Sequence, residues 1–120
     1  MRILITDDHP IVRKGLRQII MEGIPNSVIH EAGDAEYMVN ELMREKYDVL
    51  VCDLSLPGRS ALESLVQIKK IDPTLPILII SIFPEDQYAI RAIRAGASGY
   101  LSKDSAPEDL VLAIDAVIYF

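Results

Sequence analysis

The chain has 120 residues, half of them hydrophobic and a quarter charged, which suits one domain around one buried core. Its net charge of −6, without any run of Lys and Arg, argues against these residues being the part of a protein that grips a phosphate backbone. Cys52 is the only cysteine, which excludes an intrachain disulfide and fits a reducing, cytoplasmic setting; the longest apolar stretch, residues 75–83, is broken by Pro76 and too short to span a bilayer.

Short apolar runs alternate with amphipathic stretches along the whole chain. Residues 2–6 read as a first strand, and Pro10 then suits the first turn of a helix with an apolar face of Ile11, Leu16, Ile19 and Ile20. Residues 27–31 read as a second strand, followed by a helix that Asp34 caps and that carries Met38, Leu42 and Met43. Residues 48–52 form the third run, and Ser60 with Glu63 spells a capping box before Leu65, Val66 and Ile68. Residues 77–81 are the fourth run; Pro84, Glu85 and Asp86 open a helix that Gly96 stops. Residues 99–101 are the fifth, and Ser105 with Glu108 opens a last helix through Leu110, Val111, Ile114 and Val117.

Near-continuous apolarity in the runs points to strands buried on both faces of a parallel sheet. The pattern is (βα)5, of the α/β class. Right-handed crossovers put helices on both faces, and a flavodoxin-like, doubly wound sheet of order 2-1-3-4-5 is the arrangement expected. In such a sheet ligands bind beyond the carboxyl ends of the strands. Asp7 and Asp8 follow the first strand, Asp53 ends the third, Ser81 ends the fourth and Lys103 follows the fifth.

Three carboxylates in one place repel one another, and a cation relieves that cost. Mg2+ takes oxygen ligands, commonly one or two carboxylates with a phosphate, and keeps several waters. His9 and His30 are the only histidines, so the sequence offers no His or Cys cluster for a softer metal. Phosphoryl transfer needs a nucleophile, a metal and donors for the equatorial oxygens. Asp53 is a candidate nucleophile, Lys103 offers an ammonium, and Ser81 offers a hydroxyl with a reason to move once a phosphate is present.

The strings DDHPIVRKGL, DLSLPGRSALE and AIRAGASGYLSKD together resemble the receiver domain of two-component response regulators, in the NarL/FixJ-type group with LuxR-type output. The resemblance covers essentially the whole chain and implies that residues 1–120 are a phosphoacceptor domain. It implies that Asp53 takes a phosphoryl group from a sensor histidine kinase. It implies that Asp7 and Asp8 hold Mg2+, with Asp53 and the backbone carbonyl of Ser55 completing the protein ligands. Ser81 and Lys103 then contact the phosphate, and Tyr100 is the switch aromatic that turns inward when Ser81 engages it. Homodimerisation on phosphorylation is expected, through the fourth helix, fifth strand and fifth helix or through another helix face. The role implied is regulatory rather than enzymatic, beyond self-phosphorylation from small donors and self-dephosphorylation. Ser55 and Phe83 occupy positions that tune hydrolysis in the family, and Phe83 cannot orient a water, so self-dephosphorylation is expected to be slow. The apolar end, Val117 to Phe120, has no capping signal, and a helix-turn-helix DNA-binding output domain beyond it is the expectation, with transcription control through it.

The chain departs from the family pattern at Asp104, where many receivers have proline, at Ala61, where glycine is usual, and at Ile82, where many have alanine. The alternative reading is an Mg2+-dependent phosphatase of the haloacid-dehalogenase type. Those enzymes place the nucleophile after the first strand with an acid two residues on; here it ends the third strand and position 55 is Ser. A flavin or nucleotide binder needs a Gly- or Ser/Thr-rich loop where this chain has the acidic DDHP. Each residue alone has a plain reading: aspartates as turn residues or caps, Lys103 and Arg59 as solvated charges, Tyr100 and Cys52 as packing. His9 reads first as shaping the turn into the helix and second as a neighbour of the metal. The joint placement at separate strand ends carries the functional reading.

Overall fold

The structure, a computed structural model, describes residues 1–56, 61–83 and 85–119, the side chains of Ala61, Glu85 and Asp86 aside. Strands β1 (Arg2–Thr6), β2 (Val28–Ala32), β3 (Val49–Asp53), β4 (Ile77–Ser81) and β5 (Gly99–Ser102) alternate with helices α1 (Pro10–Gly23), α2 (Ala35–Arg44), α3 (Ala61–Ile71), α4 (Glu85–Ala95) and α5 (Ala106–Tyr119). The strands pair in parallel in the expected order β2-β1-β3-β4-β5. β2 and β3 start one residue later than the apolar runs do, and β5 extends one residue further.

Alternation along the strands divides the core in two. Ile3, Ile5, Val49, Val51, Leu78 and Ile80 pack with Leu16 and Ile20 of α1 and Leu110 and Ile114 of α5. Leu4, Leu50, Cys52, Ile77 and Ile79 pack with Met38 and Leu42 of α2, Leu65 and Ile68 of α3 and Ala92 of α4. Each fully buried Ile or Leu contributes on the order of 2 kcal/mol. Burial on both faces holds for β1, β3 and β4; β2 and β5, each with a neighbour on one side only, stay partly exposed.

Asp34 caps α2 as expected, its carboxylate accepting from Tyr37 N at 2.8 Å. Gly96 stops α4 at a φ of +120°, with Gly96 N donating to the carbonyl of Ile93 and Ala97 N to that of Ala92, a Schellman arrangement. The last helix is entered differently from the expectation. Lys103–Ser105 is a 3-10 turn, and the cap bond there is made by Ser102, whose hydroxyl accepts from Asp104 N. Ile11, placed on the apolar face of its helix, and Met43 and Val66, counted among the apolar residues of theirs, are exposed. The stripe a helix presents to a sheet is narrow, and Leu16 with Ile20, Met38 with Leu42, and Leu65 with Ile68 fill it. Arg59, Ser60, Pro84 and Phe120, singled out in the sequence, lie outside the described residues. Among the described residues every peptide bond is trans, and no helix is long and apolar enough to cross a membrane.

Candidate functional site

The sheet register sets the site. Thr6 lies opposite Cys52, so Asp7 and Asp53 leave β1 and β3 at the same level. Asp53 lies opposite Ile80, and Ser81 lies opposite Ser102, so Ser81 and Lys103 follow one step further along. Residues distant in sequence thus reach one edge because strand pairing, rather than any local motif, aligns them.

Lys103 Nζ bridges the two inner acids, 2.8 Å from Asp7 Oδ2 and 3.2 Å from Asp53 Oδ2. Asp7 is fully buried and Asp53 is 4% exposed, so both charges sit where solvent cannot screen them well. Asp8 is the outer acid, its side chain 33% exposed. His9 closes the group: its backbone N–H donates to Asp7 Oδ1 at 2.8 Å, and its Nδ1 lies 3.2 Å from Asp7 Oδ1 and 3.0 Å from Asp8 Oδ1. Ser55 N donates to Asp53 Oδ1 at 3.2 Å.

Burial raises the Asp53 carboxyl above the usual range for aspartate, and the negative charge of Asp7 adds to this; the Ser55 N–H and the Lys103 ammonium pull the other way. Burial alone would lower Lys103, but Asp7 and Asp53 outweigh it and hold the ammonium above its ordinary value. Lys103 is therefore a fixed positive charge at neutral pH. Asp53 is a comparatively basic carboxylate, which favours nucleophilic attack.

Ser81 and Tyr100 meet at Phe83. The buried Ser81 hydroxyl accepts from Phe83 N at 2.9 Å, and the half-buried Tyr100 hydroxyl donates to the Phe83 carbonyl at 3.0 Å. The Phe83 ring packs on Tyr88 with centroids 4.8 Å apart. A change at Ser81 thus reaches Tyr100 through one residue. Ile82 beside them is exposed. Cys52 is buried against Met38 in the core, and burial pushes its thiol up, so it stays unreactive.

Asp7, Asp8, His9 and Asp53 each offer a ligand atom within 4.8 Å of the others. A single divalent ion bridges ligand atoms about 4–5 Å apart, twice an oxygen–metal bond. Among the described residues, Asp7 Oδ2 and Asp8 Oδ1 are both shut off from solvent without a hydrogen bond of good geometry, Asp7 Oδ2 facing the ammonium of Lys103 and Asp8 Oδ1 the ring of His9. Buried carboxylate oxygens left in that state fit a cation held among them. The oxygen-rich donor set fits Mg2+.

Sequence reasoning missed a second polar cluster, beside the amino ends of β1 and β3. Glu41, 6% exposed, takes two bonds from Arg44 at 2.7 and 2.9 Å and one from the Tyr47 hydroxyl at 2.7 Å. Tyr47 has spent its proton on Glu41, so its oxygen accepts from His30 Nδ1 at 2.7 Å. Arg44 and Tyr47 hold the Glu41 carboxyl below its usual value despite burial. The signal available was the Glu41–Arg44 spacing, which puts the pair on one helix face next to the buried Met38 and Leu42.

A five-stranded doubly wound sheet with this acid group and a lysine at its carboxyl edge defines a receiver domain. The chain matches the response regulator receiver domain family over residues 3–115, and it belongs to that family. It is 37% identical over 116 residues to the Bacillus subtilis transcriptional regulatory protein YxjL, covering 97% of this chain and 53% of that one. It is 36% identical over 115 residues to the Escherichia coli nitrate/nitrite response regulator protein NarP, covering 96% of this chain and 54% of that one. Among solved structures, a two-component response regulator of the LuxR family from Aurantimonas matches at 40% identity and a TM-score of 0.90, over 98% of this chain and 84% of that one. The resemblance to the NarL/FixJ-type group therefore holds, and the chain spans about half the length of these curated relatives.

Proposed function

We propose that this domain is a phosphorylation switch in which Asp53 accepts a phosphoryl group from the phosphohistidine of a sensor kinase. The carboxylate oxygen attacks phosphorus, the P–N bond breaks as the O–P bond forms, and the histidine leaves with the nitrogen lone pair. Asp8, Asp53 and the Ser55 carbonyl, with Asp7 behind them, are the residues that would hold Mg2+. Bound there, the ion supplies charge neutralisation between carboxylates and phosphoryl oxygens. The ammonium of Lys103, which already faces both Asp7 and Asp53, donates to a phosphoryl oxygen. The Ser81 hydroxyl gives up its bond with Phe83 N to donate to another, and Tyr100 then loses its fixed partner at the Phe83 carbonyl and turns inward.

The observation that carries this reading is the single ammonium bridging two acids from two different strands, with a third acid whose ligand atom lies within 4.8 Å of theirs. Moving a two-state equilibrium from 1:99 to 99:1 takes about 5.5 kcal/mol, and charged contacts to a new phosphoryl group are the source for it. The switch acts in the cytoplasm and is regulatory, with turnover limited to self-phosphorylation from small donors and self-dephosphorylation. In a longer protein it controls transcription through a DNA-binding output domain, with phosphorylation driving homodimerisation. The relatives' names as transcriptional and nitrate/nitrite regulators support this, as does a solved RcsB structure bound to promoter DNA, 29% identical over the shared region.

The test is incubation with acetyl phosphate and Mg2+ followed by intact mass measurement. One added phosphoryl group, absent without Mg2+ and absent in Asp53→Asn, is expected. Rapid release of phosphate from a generic ester over many turnovers, with no stable adduct, would instead mark a phosphatase.

A further inference from the structure

We propose that His9 is a nitrogen ligand of the acidic pocket, so that the site binds first-row transition cations such as Ni2+ and Mn2+ through a mixed oxygen and nitrogen set. This rests on the metal-binding reading above and adds a residue that sets which metal is preferred.

Four observations support it. His9 shares the cluster with Asp7, Asp8 and Asp53, every offered ligand atom lying within 4.8 Å of the others. Its Nδ1 lies 3.0 Å from Asp8 Oδ1 and 3.2 Å from Asp7 Oδ1, polar contacts that hold the ring nitrogen beside the carboxylates a metal would share. Its side chain is 66% exposed, so the ring swings by a small rotation without disturbing the core. Its backbone is fixed as the residue before α1 by the bond from its N–H to Asp7 Oδ1, which keeps the ring at the mouth of the pocket. Asp7 Oδ2, fully buried and facing the Lys103 ammonium at 2.8 Å, shows that the same pocket already holds positive charge against its carboxylates.

Ligation uses the Nδ1 lone pair, the ring carrying its proton on Nε2. For Mg2+, which prefers oxygen, the ring adds little, and water takes the position instead. For Ni2+ imidazole is a favourable donor, and Mn2+, though it prefers oxygen, accepts a nitrogen already positioned beside its carboxylates. His9 therefore separates metals that the three aspartates alone would rank by charge and size.

The experiment is pulsed EPR on the Mn2+-loaded protein, with calorimetric titration of Mg2+ and Ni2+, on the wild type, His9→Ala and His9→Gln. Nitrogen modulation from one directly bound imidazole is expected in the wild type and absent in both variants. Ni2+ affinity falls about tenfold or more in both variants while Mg2+ affinity changes less than about twofold. Bound Mn2+ without nitrogen coupling, or coupling that survives in the variants, overturns the role of His9 and leaves the oxygen site standing. Failure of the wild type to bind any of the three metals overturns both this inference and the metal reading beneath it.

Discussion

Replacing Asp53 with Asn removes the acid from the pocket at nearly constant shape, and the structure says that the metal-free domain becomes more stable. The ligand oxygens of Asp7 and Asp53 lie within 4.8 Å, so at an effective dielectric of about 20 their repulsion is at least about 3.5 kcal/mol. Asp8 adds roughly 2 kcal/mol, discounted because its side chain is 33% exposed. Lys103 at 3.2 Å returns about 5 kcal/mol of attraction. The charges nearly cancel, and burial, which raises the Asp53 carboxyl, tips the balance toward the neutral amide; a net gain on the order of 1 kcal/mol, the usual size of a single-residue effect, is expected. For a chain of 120 residues that is a rise in Tm of about 5 °C. A raised acid penalises the fold above its folded value and stops doing so below its ordinary value of 3.8, so the advantage of the variant shrinks as pH falls toward that value. Mg2+ at a hundred times its dissociation constant restores about 2.7 kcal/mol to the wild type alone, reversing the order. Differential scanning calorimetry with chelator and with Mg2+ reads both effects. An Asn variant less stable than the wild type in chelator, or a wild type indifferent to Mg2+, would refute the reasoning.

Other outcomes follow from the same geometry. Lys103→Met leaves Asp7 and Asp53 without their shared cation; it costs roughly 3 kcal/mol in chelator by urea denaturation and slows phosphorylation by acetyl phosphate roughly a hundredfold. Glu41, held below its ordinary value of 4.5, contributes stability above that value and loses it as pH falls through the depressed one, so urea midpoints of the wild type and Glu41→Gln converge on going from neutral to about pH 3.5. Gly23→Ala drives a methyl into Val111 of α5 and destabilises by about 1–3 kcal/mol, read as a lower urea midpoint at unchanged slope. The phosphorylated form, with Phe83 packed on Tyr88 and only Ser55 two residues past the acid, outlasts the seconds scale in a phosphate-release assay.

The fold was legible because each strand is a short aliphatic run and each crossover an amphipathic stretch with a recognisable start or stop. Asp34 and Gly96 behaved as their chemistry dictates. The site was legible for the same reason: Asp7, Asp8, Asp53 and Lys103 stand just where runs end, and parallel register does the rest. What local pattern could not supply was which neighbours a side chain meets across the sheet. Glu41 looks like one more surface acid of α2 until Tyr47 and His30 are brought over it from other segments. His9 looks like a turn residue until the bend after β1 folds its ring back on two acids. Ile11, Met43 and Val66 belong to the apolar count of their helices but fall beside the buried stripe, a distinction of one helical step that composition does not resolve.

The most direct measurement locates the phosphoryl group itself. After reaction with acetyl phosphate and Mg2+, borohydride reduces an aspartyl phosphate to homoserine, and tandem mass spectrometry of the digested chain reads its position. Homoserine at residue 53 alone is the expected result. Homoserine at Asp7, Asp8 or a surface aspartate, or none at all in a protein that binds Mg2+, would contradict the account.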